Sequence, residues 1–198
     1  MAIAYYLSHP QVRVDPATPV PDWGLSDTGR IRLTALRGRQ WLGQVDRIVS
    51  SDENKAIETG ALIGAMLDWP VEIMPDMHEN DRSATGFLPP AEFEATADRF
   101  FAHPDQSVRG WERAADAQAR ILGAVRRTLA DHPGDEAILF VGHGGVGTLL
   151  KCAIAGDPID RRHDQAAEGG NAGGGNVHAF TADLSKSLFG WTAMEELA

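Results

Sequence analysis

The chain has 198 residues, 43% hydrophobic and 23% charged, which is ordinary globular usage and excludes a disordered or fibrous chain. Its formal net charge of −10 argues against an unspecific nucleic-acid binder, which needs a basic face, yet leaves room for a small anion held by a local cluster of donors. A single cysteine, Cys152, excludes an intrachain disulfide, no apolar run is long enough to span a bilayer, and Met1 to Leu7 lacks the regions of a signal peptide, so the chain reads as soluble and cytoplasmic with no membrane partner.

Ile3 to Leu7 is a short apolar run with two tyrosines and predicts a buried strand. Pro10 to Gly24, with Pro16, Pro19 and Pro21, predicts an irregular surface excursion. Ser26-Asp27-Thr28-Gly29 offers N-cap chemistry to a helix in which Ile31, Leu33, Leu36, Trp41 and Leu42 recur at roughly helical spacing. Val45 to Val49 reads as a second strand, and Ser51 or Asp52 as the cap of a helix bearing Ile57, Ala61, Leu62 and Leu67. Val71 to Met74 is a third, short strand. Residues 75 to 90 are polar and turn-rich with a Pro89-Pro90 stop, and residues 91 to 102 form a short helix.

Trp111 to His132 is strongly helical and closes at Pro133-Gly134; its apolar face suits the sheet, and a homodimer contact on it is left open. Ala137 to Val141 is a continuous apolar strand and Val146 to Ile154 an apolar helix carrying Cys152, a small buried hydrophobe. Gly169 to Gly175 holds five glycines in seven residues and reads as a loose loop. Asn176 to Leu184 and Phe189 to Met194 complete the strands. Strands separated by helices imply parallel pairing, so the expected fold is α/β: a three-layer α/β/α arrangement around a mostly parallel central sheet, one domain over residues 1–198. Its ligand site belongs beyond the C-terminal ends of the strands.

Four segments sit at or after such ends: Leu7-Ser8-His9-Pro10, Ser50-Ser51-Asp52-Glu53-Asn54-Lys55-Ala56-Ile57-Glu58-Thr59, His78-Glu79-Asn80-Asp81-Arg82-Ser83, and Val141-Gly142-His143-Gly144-Gly145. A shared edge brings two histidines, a lysine, a glutamate and an arginine to one cleft. Singly each has an ordinary reading: a loop histidine, a solvated lysine, turn acids, and an arginine paired at the surface. Gly142-His143-Gly144-Gly145-Val146-Gly147 also fits a dinucleotide glycine pattern, but the acidic residue that pattern wants about 20 positions on falls in a segment that is not a strand. The histidines are scattered, no second cysteine exists, and no serine sits in a glycine elbow, so neither a metal cluster nor a Ser-His-Asp hydrolase is indicated.

Together the segments resemble the histidine phosphatase superfamily, which includes the phosphoglycerate mutases. His9 matches the histidine of the family's Arg-His-Gly. Leu25-Ser26-Asp27-Thr28-Gly29-Arg30 resembles its Leu-Thr-x-x-Gly segment, Ser50 to Thr59 keeps its Ser-Ser-Pro-x-x-Arg-x-x-Gln-Thr spacing, Glu79 takes the place of its acid, and His143-Gly144-Gly145 matches its His-Gly-Gly. The resemblance implies a neutral His9 that attacks phosphorus, Glu79 as acid and then base, and His143 as a donor to the phosphoryl oxygens. It implies phosphate binding by Ser8, Lys55, Arg82 and Gly144, with no metal or organic cofactor.

Three departures weaken the grip on phosphate. Ser8 stands where the family has a guanidinium, Lys55 replaces a second one with a point charge, and Pro10 replaces glycine and its N–H. Arg82 is the first candidate to restore the lost charge, ahead of Arg13 and Arg109. The expected activity is hydrolysis of a small phosphorylated metabolite. Mutase-type phosphotransfer is an alternative, for which residues 83 to 110 are poor in basic groups. A catalytically decayed anion-binding module is the other, suggested by Ser8.

Overall fold

In the computed structural model, residues 2–197 are described. They form β1 (Ile3–Ser8), α1 (Asp27–Thr34), β2 (Val45–Ser50), α2 (Asn54–Leu67), β3 (Val71–Ile73), α3 (Pro90–Ala102), α4 (Ala114–Ala130), β4 (Ala137–Gly142), α5 (Gly144–Ala155), β5 (Asn176–Thr181) and β6 (Ser187–Ala193). One six-stranded sheet runs in the order β3-β2-β4-β1-β5-β6. The first four of these strands are mutually parallel, and β5 and β6 are antiparallel additions. The connection between β5 and β6 is too short for a crossover, so those two must pair antiparallel.

The parallel strands read as continuous apolar runs because both faces are covered. Ala4, Tyr6, Ile138, Phe140 and Phe180 face a core built with α3, α4 and α5. Tyr5, Leu7, Leu139, Val141, Val177 and Ala179 face a second core built with α1 and α2. The period-2 alternation thus divides each strand between two helical layers, as the α/β/α expectation requires. No helix among the described residues is long and apolar enough to cross a membrane.

Several boundaries differ from the sequence reading. Ser26 does cap α1, its side chain accepting from the Gly29 N–H at 3.2 Å. That helix stops at Thr34; Leu36 and Trp41 are buried from turns instead, and Leu42 from the short 3-10 helix Leu42–Gln44. Neither Ser51 nor Asp52 caps α2; the cap residue is Glu53, which makes no side-chain capping bond. Pro90 starts α3 rather than stopping the chain, because its missing N–H is surplus in the first helical turn. Trp111 lies outside α4: Arg109 and Gly110 take φ of 55° and 83°, and that left-handed step lets the indole enter the core from the turn.

The glycine segment is not a loose loop. Gly174 and Gly175 adopt φ of 77° and 68°. The Gly175 N–H donates to the carbonyls of Ser8 and His9 at 3.1 and 3.0 Å. A Cβ on Gly174 would lie 2.3 Å from the His9 carbonyl oxygen, so only glycine lets the two backbones come this close. Arg32 locks the loop from the other side, donating to the Gly174 carbonyl at 2.8 Å and pairing with Glu195.

Candidate active site

The registers Ser8↔Gly142 and Ser50↔Val141 align the ends of β1, β4 and β2 on one edge of the sheet. His9, His143 and Ser51 are the next residues along each strand. The His9 N–H donates to the Gly142 carbonyl at 2.9 Å, which ties the first histidine to the strand that delivers the second. The two imidazoles meet edge to face, with centroids 5.3 Å apart and planes at 71°.

His9 Nδ1 lies 2.9 Å from the Pro10 carbonyl oxygen. A carbonyl can only accept, so Nδ1 carries the proton and Nε2 keeps its lone pair. Burial, reinforced by the Lys55 charge, lowers its pKa to about 4, so the ring is neutral at pH 7. His143 is fully buried, which lowers its pKa to about 3. Its Nε2 lies 2.8 Å from Ser51 Oγ, and that oxygen accepts the Glu53 N–H at 3.3 Å. The Ser51 hydroxyl can donate to Nε2, and in that tautomer Nδ1 is an N–H donor. That Nδ1 has no partner among the described residues. Tyr6 fixes the turn by accepting the His143 N–H at 3.1 Å, and Gly142 must be glycine because a Cβ there would sit 2.2 Å from the phenol oxygen.

Glu79 reaches this edge from the segment after β3. Its carboxylate accepts the N–H groups of Gly145 and Val146, at 3.1 and 2.9 Å, at the start of α5. These amides therefore hold Glu79 and do not stand open to an anion. Gly145 makes room for it, since a Cβ would lie 2.7 Å from Glu79 Oε1. Arg120 of α4 secures the segment, donating to the carbonyls of Asp76 and His78 at 2.9 Å each while pairing with Glu112 at 2.7 Å.

Glu53 was not singled out by the sequence. It is buried, accepts the Glu79 N–H at 2.8 Å, lies 3.7 Å from His143 Nε2 and pairs with Lys55. Burial alone would raise its pKa, but electrostatic coupling to His143, the Lys55 charge and the bonds it accepts bring it down to about 2. Lys55 also donates to the Val20 carbonyl at 2.9 Å, so its charge is already matched. The only sequence cue to Glu53 was its place inside the Ser50–Thr59 segment, where an acid next to a helix start passes for a capping residue.

A cavity of about 510 Å³ opens over His9, lined by Glu79, Asn80, Arg82, Gly144 and Gly145 and by the aromatic wall of Phe93 and Trp111. Arg82 is the open cation of this cavity. Its guanidinium stacks 5.2 Å from the Phe93 ring centroid and 5.6 Å from that of Trp111, and it makes no ion pair among the described residues. Gly144 lines the cavity close to the Gln165 amide, which a Cβ would meet at 2.3 Å. Ser8, 1% exposed, is not a cavity wall: its hydroxyl bonds the Gln165 side chain at 2.8 Å and accepts the Asn176 N–H at 3.1 Å. Lys55 and His143 likewise lie in the layer beneath the surface. The other arginines considered for charge do not reach it: Arg13 lines a separate cleft, and Arg109 contacts Glu92 at 3.3 Å. Among the described residues no group of His, Cys, Asp and Glu is arranged to hold a metal ion.

The family description "histidine phosphatase superfamily (branch 1)" matches residues 13–173. The chain belongs to that superfamily. The match begins after His9, in keeping with the departures around it. Among solved structures, a mycobacterial glucosyl-3-phosphoglycerate phosphatase with inorganic phosphate superposes at a TM-score of 0.79, with 20% identity over 98% of this chain and 99% of that one. A phosphoserine phosphatase from Entamoeba histolytica, in complex with 3-phosphoglyceric acid, gives 0.71 with 15% identity over 98% and 99%. YhfR of Bacillus stearothermophilus gives 0.71 with 22% identity over 90% of each chain. These likenesses establish the histidine phosphatase fold. A comparison with curated proteins finds no match.

Proposed function

We propose that this histidine phosphatase hydrolyses a small phosphomonoester through a phosphohistidine on His9. The observation that carries the reading is the pair of neutral imidazoles, 5.3 Å apart, with Nε2 of one free to attack and Nδ1 of the other free to donate. Phosphatases of similar fold that are named for small phosphorylated substrates support it.

In the first step His9 Nε2 forms a bond to phosphorus as the ester P–O bond breaks, and Glu79 passes a proton to the leaving oxygen. In the second, water attacks phosphorus and gives its proton to Glu79, the N–P bond breaks, and inorganic phosphate and neutral His9 are released. His143 Nδ1–H and Arg82 donate to the equatorial phosphoryl oxygens. Arg82 takes over part of the work of the guanidinium absent at Ser8. Lys55 contributes through the field behind Glu53.

A second reading, an anion-binding module without turnover, is favoured by the Lys55–Glu53 pair and by the enclosure of Ser8 among amides. Turnover of an aryl phosphate separates the two. Hydrolysis by wild type that is lost in His9→Ala is the expected result. Equal, background-level rates in both proteins reject the enzyme.

A further inference from the structure

A second cavity, about 730 Å³, adjoins the first and shares Glu79, Asn80 and Arg82 with it. Its walls also include Asp22, Asp52, Glu53, Asp81 and His78, so with Glu79 five carboxylates line it together with Arg82, Glu53 being paired with Lys55. Asp22 and Asp52 are exposed at its rim and make no ion pair among the described residues. The acids are not grouped to hold a metal ion. Asn80, 6% exposed, stands in the wall common to both cavities, and its Nδ2 has no hydrogen-bond partner among the described residues. A ligand acceptor at the junction, such as an ester oxygen of a substrate spanning the two cavities, would satisfy this buried amide donor.

In-line displacement places the leaving group opposite His9. The first cavity contains His9; the second lacks it, yet contains the Glu79 carboxyl that protonates the leaving oxygen. We infer that the acidic cavity is the leaving-group subsite and that it selects phosphomonoesters whose leaving group bears a positively charged amine. The inference rests on the proposed phosphatase reading and adds the substrate class. A carboxylate-bearing leaving group would be repelled by Asp22, Asp52 and Asp81, with Arg82 the offsetting cation in the lining, whereas an ammonium is attracted by the same three acids.

The test compares phosphoethanolamine, propyl phosphate and phosphoglycolate, which present a cationic, a neutral and an anionic leaving group of similar size. The readout on wild-type protein is kcat/KM where turnover occurs and Kd where it does not. The expected order is amine over neutral over acid, with roughly tenfold between amine and neutral ester from several partly exposed charge pairs acting together. In an Asp22→Asn, Asp52→Asn double variant the ratio of amine to neutral ester falls toward one, the neutral ester serving as the check on folding. Equal values for the three esters, or an unchanged ratio in the double variant, overturn the subsite. If the binding order holds without hydrolysis of any ester, the subsite stands and the phosphatase reading fails.

Discussion

Acidification should destabilise this protein well above the range in which its carboxylates titrate. His143 and His178 are both buried, and burial lowers each pKa to about 3 against an ordinary 6.5. The unfolded chain therefore takes up protons on these rings before the folded one does, and stability rises with pH in this range. The contribution is intact above the ordinary value, is lost as pH falls below it, and levels off near the folded pKa. At pH 5 an imidazole that is mostly protonated when unfolded and neutral when folded costs ~2 kcal/mol, so the two together remove ~4 kcal/mol relative to pH 7. His9, partly exposed, adds less in the same direction. Glu53 acts in a lower window, its stabilisation being lost only as pH falls through the ordinary carboxylate range toward about 2. Asp164, raised chiefly by burial, opposes the trend there. A loss of ~4 kcal/mol is a large share of the ~5–15 kcal/mol typical of folded proteins. Urea unfolding followed by tryptophan fluorescence at pH 7, 6 and 5 measures it. His178 supplies an internal control, because its ring stacks on Tyr6 at 5.3 Å and meets Trp191 edge-on at 4.6 Å, aromatic contacts that a phenylalanine ring can keep. His178→Phe should therefore roughly halve the loss. Stability that stays flat from pH 7 to 5, or an undiminished loss in His178→Phe, would refute the burial argument.

Three further outcomes follow from the site. With the substrate's own ionisation allowed for, kcat/KM should fall tenfold per unit as pH drops through about 4, where His9 becomes protonated; an acid limb at the ordinary histidine value would show that the ring is not desolvated. Arg82→Met should reduce kcat/KM by about 10²- to 10³-fold, the usual effect of losing one preorganised donor to a phosphoryl oxygen, while the unfolding midpoint in urea changes little. Gly174→Ala should lower activity at least tenfold, because its Cβ must displace the His9 carbonyl at 2.3 Å, whereas Gly134→Ala, with nothing within 4 Å, should behave as wild type.

The layered sheet was legible because strands buried on both faces produce unbroken apolar runs, and the helices between them force parallel pairing. The convergence of His9, Glu79, Arg82 and His143 followed from their places at strand ends. Other features depend on contacts that spacing does not record. A glycine-rich segment reads as flexible, but here Gly174 and Gly175 are required by a backbone approach to His9 from a part of the chain far away in sequence. Trp111 fits the periodicity of α4 yet packs from the turn before it. Glu53 and Arg120 look like ordinary helix charges, and their roles come from partners on other elements. The same holds for Lys55, whose pairing with Glu53 places it behind the cavity.

Trapping the covalent intermediate tests the central claim most directly. Protein mixed with a labelled phosphodonor and quenched in alkali should carry acid-labile label on the peptide containing His9, and His9→Ala should carry none. Label that persists in His9→Ala, or wild-type hydrolysis that proceeds with no trapped phosphohistidine on that peptide, would contradict the account.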